Sequence, residues 1–168
     1  MDSNAKVLMI NYEKCTGCRL CELVCVASHE GVSNPSRSRI RVMKWEAEGL
    51  YVPMSCQQCQ DAPCLNVCPV KAISRDERLG RVLVNYDVCI GCRACVLVCP
   101  FGAMHFDPID RKVAKCDLCD GDPQCVRFCD VKAVDYVEAD DFHLRKKRDA
   151  AKRFSVAQKE AAALIAEH

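Results

Sequence analysis

The sequence predicts a small α+β fold in which short β-hairpins and short helices wrap around clustered cysteines. Three observations lead there. The chain has 16 cysteines in 168 residues, and they fall into four groups of four with none left over. Short alternating apolar runs, broken by glycine or Asp-Pro, read as hairpins. Outside the cysteines the supply of large apolar residues is modest, with one Trp, four Tyr and five Phe, so a conventional core would be thin. Something else must cross-link the interior.

The elements follow in chain order. "RLCELVC", residues 19–25, reads as a short helix, and Gly31 supplies a natural stop if it runs on through "VASHE". Residues 31–39, "GVSNPSRSR", read as a loop: a plain linker or a partner contact. "RIRVMKW" and "GLYVPM" make a hairpin turned at Gly49. "AISRD" and "RVLVNY", with Gly80 between them, make a second. "RACVLVC", residues 93–99, is another short helix. "AMHF" and "KVAKC" pair through "DPID", and "AVDYVE" closes the patterned region. From Asp140 the chain is rich in Ala, Lys, Glu and Arg and lacks Gly and Pro. That composition predicts a C-terminal helix over 139–168, with Phe154, Ala157, Ala161, Leu164 and Ile165 as one apolar stripe. The stripe would pack on its own chain or dock a partner subunit.

The four quartets carry the chemistry. They are Cys15, Cys18, Cys21 and Cys25; Cys56, Cys59, Cys64 and Cys68; Cys89, Cys92, Cys95 and Cys99; and Cys116, Cys119, Cys125 and Cys129. Three cysteines in a tight loop can cover one face of an iron–sulfur cubane. The fourth, a helical turn further on, then ligates the other cluster of a pair. Zinc usually takes two separated C-x2-C knuckles, and a third cysteine two residues later has no place there. Disulfides require an oxidising compartment. The N-terminus shows no signal h-region, no twin-arginine pair and no cleavage site, which predicts a cytoplasmic chain, with export on a signal-bearing partner left open. Net charge is +1, so bulk charge gives no reason to expect nucleic acid or a membrane surface as partner. No apolar run approaches a membrane span. Four [4Fe–4S] clusters are expected.

The quartets are of two kinds. "INYEKCTGCRLCELVC" matches "VNYDVCIGCRACVLVC", and "CQQCQDAPCLNVCPVKAI" matches "CDLCDGDPQCVRFCDVKAV". Tandem duplication would pair quartet one with two and three with four. The residue after each last cysteine suggests otherwise. Pro69 and Pro100 follow quartets two and three, whereas Val26 and Asp130 follow one and four. Proline stops the helix there. If paired quartets share an exit, two goes with three and one with four.

This order of motifs, over about residues 6–138, resembles the four-cluster iron–sulfur subunits of the dimethyl sulfoxide reductase type. It is also similar to electron-transfer subunits of formate dehydrogenases, hydrogenases and carbon monoxide dehydrogenase. The resemblance implies two ferredoxin-like units, one inserted in the other. Residues 1–51 and 104–138 would form the outer unit and 52–103 the inner. It further implies these ligand sets: Cys15, Cys18, Cys21 and Cys129; Cys116, Cys119, Cys125 and Cys25; Cys56, Cys59, Cys64 and Cys99; Cys89, Cys92, Cys95 and Cys68.

All irons would then be ligated, with none open to substrate. There is no P-loop and no dinucleotide-binding glycine motif. No catalytic residues are expected; the function expected is electron transfer for a separate catalytic subunit. By resemblance that partner is a molybdenum- or tungsten-pterin oxidoreductase, and the anchor-free form looks most like the small subunit of a tungsten-containing aldehyde oxidoreductase. A flavin- or NAD-linked subunit or a ferredoxin could exchange electrons at the other end. The alternatives are a free soluble polyferredoxin, or a subunit of a formate dehydrogenase, hydrogenase or carbon monoxide dehydrogenase complex. His29 and Trp45 are expected in structural roles, Trp45 and the tyrosines packing over clusters.

Overall fold

The computed structural model describes residues 6–140 and, beyond them, 144, 147, 148, 150, 151, 155, 156 and 158, all with helical backbone. The remainder of the expected C-terminal helix, including all five residues of its apolar stripe, lies outside the described residues. The backbone divides into a terminal unit (residues up to 7 and from 137 on) and a main unit over Leu8–Tyr136, which holds every cysteine.

Among the described residues, four two-stranded sheets carry the scaffold. The strand β1 (Lys6–Ile10) hydrogen-bonds to β8 (Val134–Glu138). The other three sheets are antiparallel hairpins. In the first, β2 (Arg41–Trp45) pairs with β3 (Leu50–Met54), Trp45 opposite Leu50. Gly49 sits between them at φ 63°, a left-handed conformation with no steric cost for glycine. In the second, β4 (Ile73–Asp76) pairs with β5 (Arg81–Val84), and in the third, β6 (His105–Asp107) pairs with β7 (Lys112–Ala114). The three hairpins stand where the alternating runs place them. Strand β1 was not expected.

Within Leu8–Tyr136 the α-helices are short with one exception. The helix α1 covers Leu20–Glu30, whereas α2 (Pro63–Asn66), α3 (Ala94–Leu97) and α4 (Gln124–Arg127) are single turns. The exit from each quartet explains the difference. After Cys68, Cys99 and Cys129 the chain turns at once: the amides of Lys71, Gly102 and Lys132 donate to the carbonyls of those three cysteines. Lys71, Gly102 and Lys132 all have positive φ. After Cys25 there is no such turn. Val26, only 1 % exposed, continues the helix, which ends at Gly31 with φ 65° and its amide bonded to Ala27 O.

The apolar interior is split into two groups. One contains Cys21, Cys25, Ile40, Val42, Cys125 and Val134, with Leu8, Cys15, Tyr51, Val126 and Cys129 packed on it. The other contains Ala62, Ile73, Val82, Cys95, Met104 and Val113, flanked by Cys59, Cys64, Cys68, Cys89 and Cys99. Cysteines of quartets one and four share the first group; those of two and three share the second. Helix α1 packs on α4, and α2 on α3. The hairpin β6–β7 sends Phe106 and Val113 into the second group.

Two backbone bonds repeat this division. The amide of Asn11, four residues before Cys15, donates to Ala133 O at 2.8 Å. The amide of Asn85, four residues before Cys89, donates to Ala72 O at 2.7 Å. Each bond ties the approach to a C-x2-C-x2-C loop to the Val-Lys-Ala turn that leaves another quartet.

Candidate metal centres

The loops that present the cysteines rely on left-handed backbone. In "CTGCR" and "CIGCR", Gly17 and Gly91 have φ 71° and 67°, and Arg19 and Arg93 have φ 63° and 65°. The two loops are thus the same local structure built twice. A Cβ on Gly17 would lie 2.6 Å from Cδ1 of Tyr51, whose ring covers the loop. A Cβ on Gly91 would meet Arg111 O at 2.9 Å. In the other two loops, Gln58 (φ 49°) and Leu118, Cys119 and Asp120 (φ 60°, 46° and 55°) take the positive-φ positions.

Three cavities gather the thiols. One is lined by Cys25 together with Cys116, Cys119 and Cys125. A second is lined by Cys56, Cys59, Cys64 and Cys99. A third is lined by Cys68, Cys89, Cys92 and Cys95. Each cavity therefore takes three sulfurs from one quartet and the last sulfur of another. Of the remaining four, Cys15 and Cys129 pack against the same apolar group as buried Cys21. Burial, then the charges of Glu22, Cys18 and Cys15, push the Cys21 thiol up to about 12. Cys18 is exposed.

Backbone amides point at several sulfurs. Ala72 N–H donates to Cys68 Sγ at 3.2 Å, Ala103 N–H to Cys99 Sγ at 3.4 Å, and Ala133 N–H to Cys129 Sγ at 3.2 Å. In each case the donor is four residues after the cysteine, delivered by the tight turn. At Cys25 the helix continues, and the residue four further on is His29. Its Nδ1 lies 4.0 Å from Cys25 Sγ and 2.8 Å from Cys25 O. Its Nε2 lies 3.1 Å from Asp117 Oδ1. Both oxygens are acceptors, so both ring nitrogens serve as donors. The Asp117 carboxylate is the main cause that pushes His29 up to about 12. Burial alone would raise Asp117, but His29 and Arg39 hold its carboxyl well below the usual range. His29, Asp117 and Cys119 come close enough to form a small ligand-like group of their own.

The loop 31–39 is part of this surround. Arg37 pairs with Glu30 at 3.1 Å and also with Asp107 and Asp110. Arg39 pairs with Asp117 at 2.6 Å and Glu30 at 3.7 Å. The segment is a clamp joining the end of α1, the β6–β7 hairpin and the Cys116 loop. Trp45 lines none of these three cavities; it is exposed at the end of β2. Two buried groups that sequence reasoning passed over are Glu22, 1 % exposed and accepting from Val42 N–H at 2.7 Å, and Lys115, 2 % exposed. The only sequence signal for either was a charge set among apolar residues.

The donor set fits iron–sulfur clusters. No cysteine is in a disulfide. Burial is the leading cause that pushes Cys116 up to about 12 and Cys95 to about 11, so these thiols ionise readily only beside a cation. Four sulfurs around one cavity match the four iron ligands of a cubane.

Comparison with known proteins agrees. The family described as "4Fe-4S dicluster domain" matches residues 47–139, and the "4Fe-4S binding domain" matches residues 12–26. Together these matches span all sixteen cysteines. The polyferredoxin-like subunit of the aliphatic sulfonate oxidoreductase of Pyrococcus furiosus is 48% identical over 73% of this chain and 70% of its own. Formate hydrogenlyase subunit 2 of Escherichia coli is 36% identical over 80% of this chain and 82% of its own. The electron transport protein HydN of Escherichia coli is 35% identical over 89% and 99% respectively. Cysteine loops of this spacing, sulfurs gathered without disulfides, and these matches lead to one assignment: the chain belongs to the 4Fe–4S dicluster family of ferredoxin-like iron–sulfur electron-transfer proteins.

Proposed function

We propose that the chain is a non-catalytic electron-transfer subunit that holds four [4Fe–4S] clusters in crossed ligand sets. The observation that carries this is the make-up of the three cavities, each joining three sulfurs of one quartet to the last sulfur of another. The fourth set, Cys15, Cys18, Cys21 and Cys129, completes the count. An outer unit, 1–51 with 104–138, and an inner unit, 52–103, are supported in their pairing of quartets by the two apolar groups and by the Asn11–Ala133 and Asn85–Ala72 bonds, although Met104 and Val113 belong to the inner group. The β6–β7 hairpin packs against the inner group.

A [4Fe–4S] cluster supplies reversible one-electron storage. The chain's part is to hold, space and insulate such centres. Cys21 and Cys25 stand one turn apart on α1 and belong to different sets, so about 6 Å of helix separates their backbones. Cys64, on α2, and Cys68, just beyond its end, also belong to different sets and relate the two inner ones. Between outer and inner units, Gln58 Nε2 donates to Cys116 O at 2.8 Å. The sets are thus linked in the order of those that contain Cys15, Cys116, Cys56 and Cys89. Exposed Cys18 and exposed Cys92 belong to the first and the last of these.

The partner is a catalytic oxidoreductase subunit. The sulfonate oxidoreductase relative supports this, and by resemblance the partner is of molybdenum- or tungsten-pterin type, such as an aldehyde oxidoreductase. The formate hydrogenlyase relative favours a second reading, membership of a formate- or hydrogen-metabolising complex. Among the described residues no helix is long and apolar enough to cross a membrane. The ligand sets are tested by Cys25→Ser. Iron in the reconstituted chain should be about sixteen per molecule, four for each of four clusters. The variant should lose or alter the paramagnetic signal that also disappears in Cys116→Ser, and keep the one that disappears in Cys15→Ser. The reverse result would mean that each quartet holds its own cluster.

A further inference from the structure

Lys115 is an unusual lysine. It is 2 % exposed, in the residue before Cys116. Its Nζ donates to Val82 O, to Cys116 O at 2.9 Å and to Gln58 Oε1 at 3.2 Å. These three bonds use all three ammonium donors. None of the acceptors carries a charge, and among the described residues Lys115 is in no ion pair. Its hydrogen bonding is complete while its charge is unanswered. A buried ammonium is costly unless a negative group faces it. What Lys115 does face is the cavity of Cys56, Cys59, Cys64 and Cys99, which it lines.

Gln58 fixes the geometry. It sits in the Cys56–Cys59 loop at φ 49°. Its Oε1 accepts from Val82 N–H at 2.8 Å as well as from Lys115, while its Nε2 holds Cys116 O. Lys115 and Gln58 therefore lock the loop of one ligand set to the first cysteine of the next. A cubane held by four thiolates is anionic, and each added electron increases that charge. Nearby charge is one of the levers that set its potential.

We infer that Lys115 is the built-in counter-charge of the Cys56–Cys59–Cys64–Cys99 cluster and raises its reduction potential above what the ligands alone would give. It is a positioning residue for the electron at the junction of the two units. The inference rests on the ligand sets proposed above. Lys115 lines the cavity of Cys56, Cys59, Cys64 and Cys99 and not the cavity of Cys25, Cys116, Cys119 and Cys125, so its charge acts most on the former and least on the two end clusters.

The test is a mediated redox titration of the reconstituted full chain followed by electron paramagnetic resonance. The signal lost in Cys64→Ser identifies the cluster. Lys115→Gln and Lys115→Met, each with full iron content, should lower its midpoint by about 59 mV or more, a tenfold change in a one-electron equilibrium. Lys115→Arg should retain most of the original value. A full-iron Lys115→Gln protein whose identified signal is unmoved, or whose signals all move equally, overturns the inference. If the neutral variants fail to take up iron, Lys115→Arg decides. Full iron there with the original midpoint ties the cluster to the cation, whereas iron loss in Lys115→Arg as well makes the residue a packing or hydrogen-bonding element and overturns the inference. A wild-type chain with no Cys64-dependent signal would instead defeat the ligand sets, and the inference with them.

Discussion

Gly17 shows how much rests on one missing methyl group. Its φ of 71° already disfavours a side chain, and Tyr51 occupies the space where a Cβ would go. Tyr51 is itself held, its hydroxyl donating to Glu46 at 2.9 Å with Lys44 over its ring. Gly17→Ala must therefore move either the ring or the loop that carries Cys15 and Cys18. On the proposed sets we expect this variant to lose one cluster of four, measured as about a quarter of the bound iron, with the signals dependent on Cys56 and Cys89 kept. A full iron content would show that the ring yields at little cost. The twin position, Gly91, meets a backbone carbonyl rather than a ring, so its neighbour has less room to yield.

At the scale of elements, α1 and the three single-turn helices differ at the exit from each quartet, where proline is compatible with a turn but not with a continuing helix. Proline, or Asp130 in the fourth quartet, goes with a tight turn that aims an amide back at the sulfur. Valine goes with a helix that brings His29 to the same side instead. Val26→Pro should break α1 after Cys25, at about 3 kcal/mol or more, because proline removes a helical bond and clashes with the preceding turn. The expected outcome is loss of helicity by circular dichroism and loss of the Cys116-dependent signal. Pro69→Val and Pro100→Val should keep their iron, since the Lys71 and Gly102 amides hold those turns without the proline. Equal iron loss in all three variants would sink the idea that the exit residue matters only where the helix must continue. The hairpins and Gly31 were legible in the sequence because turn residues mark them locally. Strand β1 was not: its partner β8 lies at the far end of the patterned region, and no turn residue joins them. Lys115 was hidden for a similar reason: alternation along "KVAKC" puts it on the face of buried Val113, but its partners Gln58 and Val82 come from elsewhere in the chain.

For the molecule as a whole, the two apolar groups are small and contain cysteines as core members, so cluster binding and folding are coupled. The thiols are not equally protected. Cys18 and Cys92 are exposed, whereas Cys25, Cys116 and Cys125 are buried and no ligand of the Cys56 set is exposed. On the proposed sets, both exposed sulfurs belong to end clusters and neither middle cluster has an exposed ligand, although each end cluster also has one buried ligand, Cys21 or Cys95. Local opening needs less free energy where the backbone is already at the surface. An iron chelator added anaerobically to the holo-protein should therefore remove iron in two phases of about equal size. The fast phase should take the signals that depend on Cys15 and Cys89. The slow phase should take those that depend on Cys56 and Cys116, and the far-ultraviolet signal should collapse only with it, because those two sets bind the outer unit to the inner through Gln58, Cys116 and Lys115. A single phase that releases all iron together with the secondary structure would mean that the sixteen bonds act as one cooperative unit, and that surface exposure of a ligand does not govern access to its cluster.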